Sequence, residues 1–273
     1  MSATDTPAGR VQIIAGSDSG GGAGIQADLK AVTMLGGYAM TAITAITAQD
    51  TTGVHGVWPV APDAVTAQMR ACLSDIGADA IKTGMLGNAH LVDQVAETLD
   101  MLAKHVPRII DPVMVATSGD RLVDEKAVSA IASVLIPGAI LVTPNAPEAE
   151  ALTGKSVDGI NGQRRAAEAL LEHGAKGVLV KGGHVPGKII HDVLQTEHGE
   201  WIFESERLET SSTHGTGCTL ASASAALIAQ GQMVSDAVNT ARDYLHEAIK
   251  QAPGLGKGHG PVAHNWAIQK SED

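Results

Sequence analysis

Short β-rich runs recur along the chain with almost no polar alternation: VQIIAG (11–16), AMTAITAIT (39–47), AIKTGML (80–86), RIIDPVM (108–114), AILVTPN (139–145) and GVLVKGG (177–183). A strand with one wet face alternates apolar and polar residues. Runs that do not alternate are buried on both faces, as the strands of a parallel sheet are. Helical stretches with caps or breakers lie between them: PDAVTAQMRACLSDIG (62–77), NAHLVDQVAETLDMLAKH (88–105) and NGQRRAAEALLEHG (161–174). Strand–helix alternation at this spacing predicts a three-layer α/β/α domain around a mostly parallel sheet. The segment IIHDVLQTEHGEWIFESERL (189–208) departs from the pattern and predicts a hairpin around His198-Gly199 at a sheet edge. With no repeat, low-complexity tract or linker, residues 11–273 are expected to form one domain behind a disordered tail over residues 1–10.

Charge and cysteine usage narrow the partners. The formal net charge of -11 disfavours nucleic acid and anionic membrane surfaces. Any site for an anionic ligand must therefore be built locally, from backbone N–H groups, helix ends, a lysine or a metal. The two cysteines, Cys72 and Cys218, are far apart and in no metal-type spacing, which fits a reducing compartment. MSATDTPAGR lacks the apolar core of a signal peptide, and no apolar stretch reaches the roughly 20 residues of a membrane span. The expectation is a soluble cytoplasmic protein that handles a small molecule.

Polar residues and glycines gather where the runs end, at Gly16-Ser17-Asp18, Lys82-Thr83-Gly84, Asp111-Pro112, Thr143-Pro144-Asn145 and Lys181-Gly182-Gly183. Open parallel sheets bind ligands outside the carboxyl ends of their strands, so the reactive side chains are expected on one edge. AGSDSGGGAGIQADLKA (15–31) nearly fits a dinucleotide fingerprint at Gly22, Gly24 and Ala27, but SDSGG intervenes between strand and glycines. A loop closing over a small ligand, with Asp18 as a polar contact, fits better. AEALTGKS (149–156) ends like a phosphate loop but has Ala149 in place of the first glycine. Asn145 and Glu148 can be a helix N-cap and a favourable first-turn charge, with Pro147 at the first helical position. They can equally hold a hydrated Mg²⁺ against phosphates, with Asp111 in the same region. Lys181 is either a solvated strand-end lysine or a point charge for a phosphoryl group.

In SSTHGTGCTLASASAALIAQG (211–231) a glycine turn runs directly into an alanine-rich helix with a thiol at the junction. A helix starting there offers the free N–H groups of Gly215, Thr216, Gly217 and Cys218 and the positive end of its dipole to an anion. The same field favours a Cys218 thiolate at neutral pH, although a cysteine can also serve as a small buried hydrophobe. A base beside an anion hole, with a lysine and carboxylates on the same edge, suits phosphoryl transfer to a hydroxyl. His214 adjoins the turn with no orienting partner evident in the sequence.

The motifs IIAGSDSGGGAGIQADLKA, TAITAQDT, KTGML, DPVMVATSGD, TPNAPEAEAL, VKGGH and STHGTGCTL occur in order over most of residues 11–231. Together they resemble the hydroxymethylpyrimidine/phosphomethylpyrimidine kinases of thiamine biosynthesis, a branch of the ribokinase-like superfamily. The resemblance implies phosphorylation of 4-amino-5-hydroxymethyl-2-methylpyrimidine by ATP with Mg²⁺, then of its monophosphate to the diphosphate. It implies Cys218 as general base and Gly215, Thr216 and Gly217 as anion hole. Gln49 would recognise the aminopyrimidine, in a pocket lined by Gly16, Ala23, Met85 and Val113. Asn145, Lys181 and Gly182 would serve ATP, and Asp111 and Glu148 the metal. Family members are usually homodimers. Many sugar kinases of the superfamily have aspartate in place of Cys218, so the thiol points to the pyrimidine and pyridoxal branch. Departures from the family pattern are Gly20 in place of serine and Thr117 in place of a frequent lysine. The rival activity is pyridoxal/pyridoxine phosphorylation; a sugar kinase, a non-catalytic pyrimidine-binding protein and a dinucleotide oxidoreductase fit less well.

Overall fold

The structure, a computed structural model, describes residues 9–115, 119 and 123–269. Residues 1–8 of the expected tail and Thr117 lie outside these, and Arg10 already pairs with Tyr38 in the first strand.

The chain runs β1 (Arg10–Ser17), α1 (Gly24–Met34), β2 (Tyr38–Asp50), β3 (Gly53–Pro59), α2 (Pro62–Asp75), β4 (Ala80–Thr83), α3 (Ala89–Leu102) and β5 (Arg108–Ile110). It continues with α4 (Glu125–Ala130), which passes into a π-helical turn over Ile131–Leu135, then β6 (Leu141–Val142), α5 (Ala146–Thr153), α6 (Ile160–Glu172) and β7 (Gly177–Val180). The hairpin β8 (Ile189–Thr196) and β9 (Gly199–Glu206) follows, then α7 (Thr216–Ala229), α8 (Val234–Lys250) and α9 (Trp266–Gln269). The strands form one nine-stranded sheet in the order β3-β2-β1-β4-β5-β6-β7-β8-β9. From β2 to β7 every pair is parallel, while β3 pairs antiparallel with β2 and the β8–β9 hairpin closes the far edge.

Successive residues of a strand point to opposite faces, and here both faces are covered. In β1, Ile14 packs into one layer with α2, α3, α5 and α6, whereas Val11, Ile13 and Ala15 pack into the other with α1, α7 and α8. This two-sided burial is why the strands lack polar alternation. Each such side chain contributes about 1.5–3 kcal/mol. Helix starts follow the sequence: Asn88 Oδ1 accepts from Leu91 N at 3.0 Å, Asp124 Oδ1 from Ala127 N at 2.7 Å, and Pro62 opens α2.

Helix α7 is buried continuously from Thr219 to Ile228, between α1 and α8 and against β1, β4 and β5. A helix with neighbours all round must be apolar all round and thin, which its alanines provide. Its buried hydroxyls are all satisfied: Thr219 Oγ1 donates to Gly215 O, Ser222 Oγ to Asp28 Oδ1 and Ser224 Oγ to Leu220 O.

Candidate active site

The parallel strands deliver their carboxyl ends to one edge, above which lies a cleft of about 1520 Å³. Helix α7 points its N-terminus into it. Gly215 is the N-cap in the left-handed region, φ +77, where a β-carbon would run into the Gly22 carbonyl oxygen. Glycine alone lets this turn close on the loop after β1. No side chain caps α7, so its first-turn N–H groups are left for a ligand. Gly215, Thr216, Gly217 and Cys218 all line the cleft, as expected.

Gly16, Ala23, Gln49, Met85 and Val113 share the wall next to this turn. Gly16 sits at the register shift of β1, and a β-carbon there would lie 2.5 Å from Met85 Cε. Met85 is fixed from behind, its carbonyl accepting from Thr44 Oγ1 at 2.7 Å. Gln49 follows the bulge of β2; its backbone is held by Ser19 Oγ and its Oε1 accepts from Thr47 Oγ1 at 3.3 Å. Asp18 also borders the cleft, but its carboxylate is committed inward. Oδ1 accepts from Gly20 N at 2.8 Å, and Oδ2 from Gly22 N at 3.0 Å and Ala23 N at 2.8 Å. His214 Nε2 reaches the same Oδ2 at 2.8 Å. Asp18 thus organises the loop that borders the cleft. Burial alone pushes the Asp18 carboxyl up, but the His214 hydrogen bond and the Ala23 and Gly20 amides bring it below the usual carboxylate range.

The charges line another part of the same cleft. Lys181 Nζ lies 3.3 Å from Asp111 Oδ1 and 3.9 Å from Glu148 Oε2. A β-carbon on Gly217 would sit 3.3 Å from the same amine, so Lys181 stands beside the anion turn rather than in solvent. Burial opposes its charge, but Asp111 and Glu148 outweigh burial and raise its pKa. Asn145 and Glu148 form a capping box at α5 and also line the cleft. Ala146 opens that helix and Pro147 follows, one position later than expected. Burial first, then the Asp111 charge, pushes the Glu148 carboxyl up to about 7 against the opposing Lys181. Asp111 Oδ2 is buried and has no hydrogen-bond partner among the described residues. Two crowded carboxylates, one with an oxygen that accepts no hydrogen bond and lies 3.9 Å from Lys82 Nζ, suit a cation. Among the described residues no group of three or more His, Cys, Asp or Glu could hold a metal, but Mg²⁺ takes only one or two carboxylates beside waters and phosphates. Gly182 is a correction. Its N–H is spent on Asp192 Oδ1 at 2.7 Å, and a β-carbon there would collide with the His191 carbonyl oxygen, so it faces β8 while Gly183 lines the cleft.

The thiol also departs from expectation. Burial pushes Cys218 up to about 12, Asp28 and Asp111 add to this, and the Lys82 charge and the Gly24 N–H only partly offset it. Desolvation here outweighs the helix-end field and favours the thiol over the thiolate.

Other parts of the site are invisible in the sequence. Lys82 is fully buried, its Nζ 2.9 Å and 3.0 Å from the two oxygens of Asp28 and 3.9 Å from Asp111 Oδ2. Burial opposes its charge, but Asp28, Cys218 and Asp111 outweigh burial and hold its pKa well above the usual lysine range. The segment after α8 buttresses the turn. His259 N donates to Thr51 O at 2.7 Å, His214 N to Gly260 O at 3.1 Å, and His264 Nε2 meets Thr219 Oγ1 at 2.9 Å.

An anion turn, a lysine and paired carboxylates at the edge of this ribokinase-like sheet define a small-molecule kinase. Residues 18–263 match the family model described as Phosphomethylpyrimidine kinase. The chain is 46% identical over 258 residues to a hydroxymethylpyrimidine/phosphomethylpyrimidine kinase of Streptomyces coelicolor, covering 94% of this chain and 95% of that one. It is also 46% identical over 267 residues to the thiamine biosynthesis bifunctional protein ThiED of Geobacter sulfurreducens, covering 98% of this chain but only 54% of that protein. Its structure superposes on an ADP complex of Bacillus subtilis pyridoxal kinase with a TM-score of 0.88 and 34% identity, over 96% of this chain and 99% of that one. This chain belongs to the phosphomethylpyrimidine kinase family.

Proposed function

We propose that this protein phosphorylates 4-amino-5-hydroxymethyl-2-methylpyrimidine with ATP, and then the resulting monophosphate to the diphosphate, in thiamine biosynthesis. The observation that carries the reading is Cys218 on the first turn of α7, lining one cleft together with Gly16, Met85, Lys181, Asp111 and Glu148. In the first step the hydroxymethyl oxygen attacks the γ-phosphorus and its proton passes to Cys218 in its thiolate form, the thiol having first given its own proton to solvent. The bond from γ-phosphorus to the bridging oxygen breaks, and ADP leaves with that electron pair. The N–H groups of the Gly215–Gly217 turn and the Lys181 ammonium hold the oxygens of the phosphoryl group in flight. The thiol can act as base only as thiolate, and Lys82 and Lys181 are the cations that face it. Asp111 and Glu148 would hold Mg²⁺, which supplies charge neutralisation at the phosphates. Asn145 completes the nucleotide side.

Gln49 offers one donor and one acceptor to the aminopyrimidine edge. Gln49→Leu is expected to raise KM for the pyrimidine about 10- to 100-fold by leaving that edge unpaired, with KM for ATP unchanged. Equal effects on both KM values would remove Gln49 from recognition. Pyridoxine phosphorylation is the second reading, favoured by the likeness to a pyridoxal kinase structure. ATP consumption with Mg²⁺ on hydroxymethylpyrimidine, its monophosphate, pyridoxine and ribose in parallel decides between them. Turnover of pyridoxine alone would overturn the pyrimidine reading.

The reading carries a cytoplasmic homodimer. No helix among the described residues is long and apolar enough to cross a membrane. The β2–β3 edge leaves Ile46, Val57 and Trp58 exposed at 54%, 43% and 59%, a surface for a second copy. Light scattering is expected to give twice the 27.9 kDa of one chain, and a monomer at micromolar concentration would refute the dimer.

A further inference from the structure

Two loops far apart along the chain meet at a buried hydrogen bond. The loop after β1 is held to the pyrimidine side, where Ser19 Oγ donates to Gln49 O and accepts from Gln49 N, both at 2.8 Å. At its other end Asp18 gathers the amides of Gly20, Gly22 and Ala23. His214, immediately before the anion turn, bonds to Asp18 Oδ2 from 196 residues away. The His214 ring lies against Gly22, where any β-carbon would strike it, and its backbone N–H is tied to Gly260 O. Both side chains are buried, and the Asp18 oxygen already accepts two amides, so the imidazole is the donor and Nε2 carries the proton.

We propose that His214 is a positioning residue for phosphoryl transfer: through Asp18 it fixes the register between the pyrimidine-binding loop and the Gly215–Gly217 anion turn. With Nε2 committed to Asp18, it acts through that residue rather than on the reacting atoms. Gln49 and the loop fix the acceptor, the α7 turn receives the phosphoryl group, and the Asp18–His214 bond spans the two. A displacement of about 1 Å between reacting groups costs on the order of 10²-fold in rate, while each half-site still binds its own ligand. This inference rests on the kinase reading above.

The geometry gives a test that a merely structural histidine would not satisfy. A glutamine places its amide nitrogen near the position of Nε2, whereas an asparagine reaches only to Nδ1. His214→Gln is therefore expected to recover most of the wild-type kcat. His214→Asn is expected to lose about 10- to 100-fold in kcat, with the pyrimidine Kd by calorimetry within about threefold. Amide exchange at Gly215–Cys218 should quicken in the asparagine variant and not in the glutamine variant. The acceptor is whichever of the four compounds the wild-type protein turns over, so a different substrate preference would refute the pyrimidine reading alone. Equal kcat in the two variants, at either level, would overturn the proposal. So would a loss confined to pyrimidine binding. If the asparagine variant does not fold, the exchange and kcat of His214→Gln decide: a kcat reduced tenfold or more in a folded glutamine variant overturns it.

Discussion

Cys218→Ala is expected to separate the two phosphorylations. In the first, the nucleophile is an alcohol, which must lose its proton as it attacks, and removing a positioned base costs about 10²–10⁴-fold. In the second, the nucleophile is a phosphate monoester oxygen. A phosphate with its second pKa near ~6 is already largely ionised at neutral pH and needs no base. The alanine variant should therefore bind hydroxymethylpyrimidine normally and lose most turnover on it, while the monophosphate loses less than about tenfold. Single-turnover rates on the two acceptors, measured separately, check this; equal losses would assign Cys218 to holding the phosphoryl group rather than taking a proton. The thiol of the wild-type protein should also behave as its surroundings dictate. With the thiol pushed up to about 12, iodoacetamide should modify Cys218 far more slowly than free cysteine at pH 8, the rate still climbing above pH 9. A plateau near neutral pH would mean that the resting protein already carries a thiolate.

Lys82→Met should be the most destabilising single change near the site. Asp28 on α1, Lys82 on β4 and Ser222 on α7 meet where no water reaches, with Lys82 bridging both carboxylate oxygens of Asp28. Removing one partner of a buried pair leaves an uncompensated charge and costs about 3–5 kcal/mol. For a domain of this size that corresponds to a fall in Tm of roughly 6–20 °C. Replacing both partners with apolar residues, as in Lys82→Met with Asp28→Leu, should restore much of the loss, because the pair's attraction largely offsets its own desolvation. Denaturant midpoints of the single and double variants test this. A cost below about 1 kcal/mol for the single variant would mean that water reaches the pair.

The strands were legible because burial on both faces leaves a mark on every residue of β1, β4 and β7, and the β8–β9 hairpin because it breaks that mark. Strand β3 is not among the elements read from sequence. It is an edge strand whose Val57 and Trp58 face outward, so neither alternation nor a continuous apolar run betrays it. Helix α8 also goes unread, although Ala237, Val238, Ala241, Tyr244 and Ala248 form a clear helical stripe. Within the site, residues placed by a turn, such as Gly215 to Cys218, were readable because spacing along the chain decides their geometry. Residues placed by tertiary contact were not. Nothing near His214 in the sequence points to Asp18, and Asp28 in mid-helix reads as a solvated charge until the sheet places Lys82 against it. The balance at the thiol has the same origin: the helix end is local and visible, whereas desolvation is set by the whole fold.

The closing segment has a consequence for how the protein is made. Both glycine turns of the site lean on residues 256–264, through Thr51 on one side and His214 and Thr219 on the other. At translation speeds of about 5–20 residues per second, His259 follows Thr51 out of the ribosome by on the order of 10 to 40 s. The early strands can pair and bury their apolar faces during that interval, but the turns above them lack their support. Catalytic competence therefore waits for residues 256–264, and a nascent chain has a sheet before it has a working edge.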